Sequence, residues 1–158
     1  MSVSVPASVL TDVLQAHNVS YELIPHRRTQ SAAAEARAIG VDPGQVAKTI
    51  VLDSGDGFVR AVLPASKRLD LRKVREFMDK SDLELASEQV LVGAYPEFEL
   101  GAVPPVGGPG PDPVLVDECL RDTELVVFEA GTHEQSVRLK TADLVRLTGG
   151  EFADICDG

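Results

Sequence analysis

Two runs, Val46-Ala-Lys-Thr-Ile-Val-Leu52 and Phe58-Val-Arg-Ala-Val-Leu63, flank the Gly-rich segment Asp53-Ser-Gly-Asp-Gly57, and they constrain the fold more than any other part of the chain. Segments rich in β-branched and apolar residues on either side of such a turn define a β-hairpin, which Pro64 ends. Lys48 lies on the first arm. Upstream, Val9, Leu10, Val13 and Leu14 fall on one helical stripe between Ala7 and Ala16, and Val19 to Ile24 alternates as a half-buried strand ending at Pro25. The Ala-rich stretch Ala32 to Ile39 reads as a second helix, capped by Thr29 or Ser31 and closed by Gly40.

After the hairpin, Leu71, Val74, Phe77 and Met78 recur at helical spacing with Arg72, Lys73 and Arg75 on the other side. Ser87 is placed to cap a short helix through Val92. From Pro96 to Pro113 the chain is loop-like and rich in Gly and Pro, and long irregular stretches inside compact domains are usually functional or mobile. Val114 to Val116, Leu125 to Phe128 and Ser136 to Leu139 read as strands, and Thr141 to Leu147 as a capped terminal helix. The fold class expected is α/β in the mixed α+β sense, with 1–158 as a single domain, since 158 residues leave little room for a second.

Composition removes several functions. No apolar run approaches the length of a membrane span, and the N-terminus lacks the basic and apolar regions of a signal peptide, so a cytoplasmic protein with no membrane partner is expected. Cys119 and Cys156 are too few and too far apart for a disulfide framework and read as small buried residues. His17, His26 and His133 share no metal-ligand spacing, so no metal is expected. Aromatics make up 4% of the chain and Trp is absent, which argues against a stacking platform for single-stranded bases.

The residues left for chemistry are few. Lys48 sits among apolar neighbours, where an ammonium is costly unless it points outward or meets a ligand. The segment Gly101-Ala-Val-Pro-Pro-Val-Gly-Gly108 either presents backbone N–H groups to a polarised oxygen or forms a surface turn. His133 is a pocket candidate or a structural histidine. There is no Gly-x-Ser-x-Gly elbow to suggest a serine hydrolase.

Taken in order, His26, Ala32-Ala33, Val46-Ala-Lys-Thr-Ile-Val-Leu52, Val62-Leu-Pro-Ala65, Arg68-Leu-Asp-Leu71, Gly101-x-x-x-Pro105-x-Gly107, Val116-Asp-Glu118 and Ala130-Gly131 closely resemble the YbaK/ProX family, which includes the prolyl-tRNA synthetase-associated editing domains. The resemblance runs from about Val9 to about Ile155. It implies a mixed, largely antiparallel sheet or partly closed barrel flanked by helices, and a trans-editing deacylase that hydrolyses the ester of mischarged tRNA, typically tRNA for proline bearing a small wrong residue such as Ala or Cys. No cofactor is implied. The partners implied are the tRNA acceptor end and prolyl-tRNA synthetase, not DNA.

The family's lysine matches Lys48 and its Gly-x-x-x-Pro loop matches Gly101 to Pro105, which makes Lys48, Gly101, Ala102 and Val103 the catalytic candidates. His26, Thr49, Pro105, Gly107 and His133 are the substrate-binding candidates. An activated ester requires mainly positioning and polarisation of its carbonyl, and these groups suit that. Pro104 stands where family loops commonly carry a small or hydroxylated residue, a departure that also fits a non-catalytic module binding a tRNA end or a synthetase.

The net charge of −10 counts against a nucleic-acid partner until it is mapped along the chain. Residues 1–80 carry eleven Lys and Arg against nine Asp and Glu, whereas residues 81–158 carry four against sixteen. Arg27, Arg28, Lys67, Arg68, Arg72, Lys73 and Arg75 are the candidates for contact with the acceptor stem.

Overall fold

A computed structural model of the chain describes residues 7–108 and 112–157. The N-terminal segment expected to lack a signal peptide, and the middle of the Gly/Pro stretch, lie outside the described residues.

The hairpin forms as expected from β2 (Ala47–Asp53) and β3 (Phe58–Pro64), in antiparallel register from Ala47 opposite Pro64 to Asp53 opposite Phe58. Around it a five-stranded sheet assembles in the order β4-β2-β3-β5-β8, with β4 at Glu84–Leu85, β5 at Val114–Asp117 and β8 at Glu151–Ala153. β3 pairs with β5 in parallel, as β5 does with β8, so this sheet is mixed. A second, wholly antiparallel sheet has the order β1-β7-β6, from Tyr21–Pro25, Gln135–Lys140 and Leu125–Thr132. A single parallel bridge, Val46 to Val127, joins the two sheets. They remain two open sheets, which corrects the barrel alternative: one bridge does not close a hydrogen-bonded cylinder.

Five α-helices cover the sheets: α1 (Ser8–Ala16), α2 (Ala32–Ile39), α3 (Leu71–Met78), α4 (Glu88–Ala94) and α5 (Thr141–Thr148). Leu10 and Leu14 of α1 join Val62, Val116, Val126, Phe128, Val137 and Leu139 in the main core between the sheets. On the other face of the mixed sheet, Val74 of α3 packs with Leu52, Leu63, Leu83 and Ile155. β3 is thus buried on both faces, as a central strand with few polar positions requires.

Local chemistry sets the helix ends. Ser31, not Thr29, caps α2 by accepting from Ala34 N–H, and Gly40 follows in the left-handed conformation that L side chains resist. Asp70 accepts from the N–H groups of Arg72 and Lys73 at the start of α3. The cap expected at Thr141 does not form: β7 runs directly into α5, Thr141 is its first residue, and the Thr141 hydroxyl is buried without a partner. Cys156 is buried as expected, but Cys119 is exposed, because it lies on a short 3-10 segment, Glu118–Asp122, that turns outward after β5. No helix among the described residues is long and apolar enough to cross a membrane.

Candidate active site

The first turn of α2, the start of β2, the Gly101 loop and the end of the apolar run of β6 enclose a cavity of about 370 Å³. That volume lies at the small end of the ~300–1,000 Å³ typical of ligand pockets. Its walls are mostly small and apolar, with Ala32, Ala33, Ala47, Ala65, Val103 and Phe128 among them. The polar groups on this lining are correspondingly few, and Lys48, Glu35 and Glu129 are the ionisable ones.

Lys48 is half-buried on β2, at a level where β4 no longer covers that strand. Burial pushes its ammonium below its usual range, and Arg68 is close enough to add to the effect. No hydrogen bond or ion pair to Lys48 occurs among the described residues. Thr49, its neighbour, also reaches the cavity.

Gly101 adopts φ +84°, a conformation that glycine takes without steric cost, and a Cβ there would lie 3.5 Å from the His133 ring. Gly101, Ala102 and Val103 all line the cavity. The Ala102 N–H, however, donates to the carbonyl of Glu99 at 3.0 Å, so Ala102 serves as wall and not as a free donor. The N–H groups of Gly101 and Val103 have no partner among the described residues.

The loop is anchored at both ends by groups the sequence did not single out. Arg60, 1% exposed on β3, donates to Asp112 (2.9 Å), to the carbonyl of Pro104 (2.8 Å) and to that of Gly107, and its guanidinium lies 5.0 Å from the Tyr95 ring centroid. At the other end Glu99 accepts from His133 N–H (2.9 Å) and from Arg28 (3.2 Å). Burial works against the Glu99 carboxylate, but these donors hold it below the usual range. Because Arg60 draws the loop's second half inward, Pro105 and Gly107 line a separate depression beside Arg60, away from Lys48.

Behind the cavity stand two carboxyl–histidine pairs. Glu129 Oε2 lies 2.8 Å from His133 Nδ1, and His133 Nε2 donates to the carbonyl of Leu100 at 2.7 Å. Glu35 Oε2 accepts a short hydrogen bond from Ser136 Oγ, which is 2.9 Å from His26 Nε2, while His26 Nδ1 donates to the carbonyl of Arg27 at 2.6 Å. Burial raises Glu35 to about 8, against the hydrogen bond from Ser136 and with a contribution from the Glu129 charge. Burial likewise raises Glu129 to about 8, helped by the Glu99 charge.

His26 and His133 therefore stand behind the lining. The glutamates they support were missed from sequence, although each breaks a pattern: Glu35 lies on the buried stripe of α2 with Ala32, Ala36 and Ile39, and Glu129 is the lone charge in Val126-Val-Phe-Glu-Ala130. A shift in register on β6 between Glu129 and Thr132 turns Glu129 toward the cavity and His133 behind it. Gly131 in this bulge, at φ +86°, leaves room for Phe98, whose ring would be 2.6 Å from any added Cβ.

The basic candidates separate once their contacts are seen. Arg72 pairs with Asp70 and Glu76, Lys73 with Asp154 at 3.0 Å and the carbonyl of Cys156, and Arg75 donates to the carbonyl of Leu83. Arg28 is held by Glu99 and Glu134, and the neighbouring Cys119 and Asp117 raise the Lys67 ammonium above its usual range. Arg27 and Arg68 are exposed, with no ion pair among the described residues, and Arg68 is on the Lys48 side. No group of three or more His, Cys, Asp or Glu among the described residues is arranged to hold a metal.

Residues 26–147 match the aminoacyl-tRNA editing domain, and the chain belongs to that family. The activity that goes with it is aminoacyl-tRNA deacylation. Among individual proteins, the chain is 27% identical over 126 residues to EbsC of Enterococcus faecalis, described as a candidate Cys-tRNA(Pro)/Cys-tRNA(Cys) deacylase, covering 79% of this chain and 76% of that one. It superposes with a TM-score of 0.88 on the crystal structure of a candidate trans-editing enzyme for prolyl-tRNA synthetase, at 28% identity and covering 99% and 100% of the two chains. The crystal structure of the hypothetical protein APE2540 gives a TM-score of 0.85 at 26% identity, over 93% of this chain and 98% of that one.

Proposed function

We propose that this chain clears tRNA for proline that carries a small non-cognate amino acid, alanine or cysteine, with the aminoacyl group seated in the cavity between α2 and the Gly101 loop. The observation that carries this reading is that a half-buried Lys48 and the loop residues Gly101 and Val103, whose ammonium and N–H groups have no partner among the described residues, line one cavity of about 370 Å³. Lys48 holds the terminal phosphate of the acceptor end. The N–H groups of Gly101 and Val103 polarise the ester carbonyl, and stabilising charge that develops on that oxygen is commonly the largest catalytic contribution. A water oxygen, positioned directly or by the ribose 2′-hydroxyl, bonds to the carbonyl carbon. The ester C–O bond then breaks, and the ribose oxygen leaves with a proton.

The acceptor stem is met by the exposed Arg27 and Arg68. The setting is the cytoplasm, where charged tRNA is made, with prolyl-tRNA synthetase as a source of substrate. The small alanine-rich wall sets the upper size of the amino acid, at a discrimination of only ~1–3 kcal/mol per methylene. A deacylation panel of Ala-, Cys-, Ser-, Thr- and Pro-tRNA tests the reading. Hydrolysis of Ala- or Cys-tRNA with Pro-tRNA spared is expected, and no release from any of them contradicts it.

A further inference from the structure

The lysine and the loop leave two cavity groups without a role, Glu35 from α2 and Glu129 from β6. Glu35 is 1% exposed, and its Oε1 is buried with no hydrogen-bond partner, an arrangement that is costly to leave unmade. Its other oxygen is fixed by Ser136, itself backed by His26. Glu129 is fixed in the same way by His133. Two carboxyls on one cavity lining, Glu35 fixed through Ser136 and Glu129 by His133, are organised for a ligand that brings hydrogen-bond donors and positive charge. An aminoacyl ester has such a group on the carbon next to its carbonyl.

We propose that Glu35 and Glu129 form the α-ammonium subsite of the cavity, so that the substrate is recognised by its free amino group as well as by its size. This rests on the reading that the cavity takes an aminoacyl end. Burial raises both carboxyls of the empty cavity to about 8, which favours their protonated form at neutral pH. When the ammonium enters, a carboxyl gives its proton to solvent and the resulting carboxylate accepts from the ammonium N–H, giving a charge-assisted hydrogen bond. The groups facing this exchange are Ser136 and His26 behind Glu35, and His133, Glu99 and Arg28 around Glu129; Lys48 lines the same cavity. Lys48 sits on β2, on the wall assigned to phosphate, so its charge does not replace the ammonium.

The test compares ligands that differ only in the amine. Alaninamide against propionamide, and adenosine bearing an amide-linked alanyl group against its propionyl counterpart, are titrated into the wild type at pH 7 by NMR and calorimetry. At least tenfold tighter binding of each amine-bearing ligand is expected, with protons released in proportion to binding, as shown by a dependence of the heat on the buffer's ionisation enthalpy. In Glu35→Gln and Glu129→Gln the preference falls severalfold while propionyl-adenosine binds as before. Equal binding of amine and des-amino ligands by the wild type, or a preference unchanged in both variants, overturns the proposal. Because the wild-type comparison needs no variant, a variant that fails to fold leaves the test intact. Alaninamide preferred with neither adenosine ligand bound keeps the subsite and contradicts the tRNA reading, whereas failure of all four ligands to bind overturns both.

Discussion

At Arg60 a full guanidinium charge lies 1% exposed in the central strand, satisfied by one carboxylate, two loop carbonyls and an aromatic face. Removing one partner of such a buried pair leaves the other uncompensated, at a typical cost of 3–5 kcal/mol. Arg60→Met is therefore expected to lower the stability by about 3 kcal/mol or more, read as a fall in the urea midpoint at unchanged m-value; a loss under ~1 kcal/mol would show that the loop does not depend on it. Gly101 is the corresponding backbone element. Gly101→Ala forces φ +84° on an L residue, a strain of about 1–2 kcal/mol at the loop that lines the cavity, so kcat should fall more than KM rises. Lys48 and Gly101 became site candidates in sequence through the family resemblance, and both line the cavity. Arg60 did not, since nothing in Phe58-Val-Arg-Ala-Val reveals that the loop's carbonyls fold back onto it from more than 40 positions away.

Among elements, α3 shows how a sequence pattern and its meaning part company. The basic face predicted from Arg72, Lys73 and Arg75 is present, but Lys73 ties α3 to Asp154 and Cys156 near the C-terminus, and Arg75 ties it to Leu83. Of these basic candidates, Arg68, before the helix, and Arg27, after β1, are the exposed arginines with no ion pair among the described residues. A double reversal, Arg27→Glu with Arg68→Glu, is expected to raise KM for tRNA severalfold with kcat little changed, and to reduce the slope of log affinity against log salt by about 2. Lys73→Ala is expected to lower the thermal midpoint instead and to leave the salt slope in place; the opposite assignment would move the tRNA face onto α3.

The helices and the hairpin were legible because periodicity, caps and Gly-rich turns are local signals. β4 and β8 were not, because strands of two and three residues are defined by the neighbours they pair with rather than by their own pattern. The bulge after Glu129, which sends that residue and His133 to different sides of the site wall, is likewise a tertiary feature marked only by Gly131.

For the whole molecule, burial holds two carboxyls well above the usual carboxylate range. Both are raised from 4.5 to about 8, so the fold binds protons that the unfolded chain has already released. The stabilisation is complete below about 4.5 and disappears as pH rises through about 8. The thermal midpoint of the free protein is expected to decline from pH 6 to pH 9, and the double variant Glu35→Gln, Glu129→Gln to flatten that decline; a midpoint that rises with pH over this interval would mean that both glutamates are ionised in the fold.

The charge map also takes its meaning at this scale. The acidity of the second half of the sequence does not oppose a nucleic-acid substrate when the cavity is marked by Lys48 and flanked by Arg68. The central claim is that this cavity hydrolyses aminoacyl-tRNA through Lys48 and the Gly101 loop. Its most direct test is single-turnover deacylation of Ala-tRNA(Pro) and Cys-tRNA(Pro) by the wild type, Lys48→Ala and Lys48→Arg. Release by the wild type is expected to fall at least 100-fold in Lys48→Ala and to be restored only partly by Lys48→Arg; equal rates in the wild type and Lys48→Ala would contradict the account.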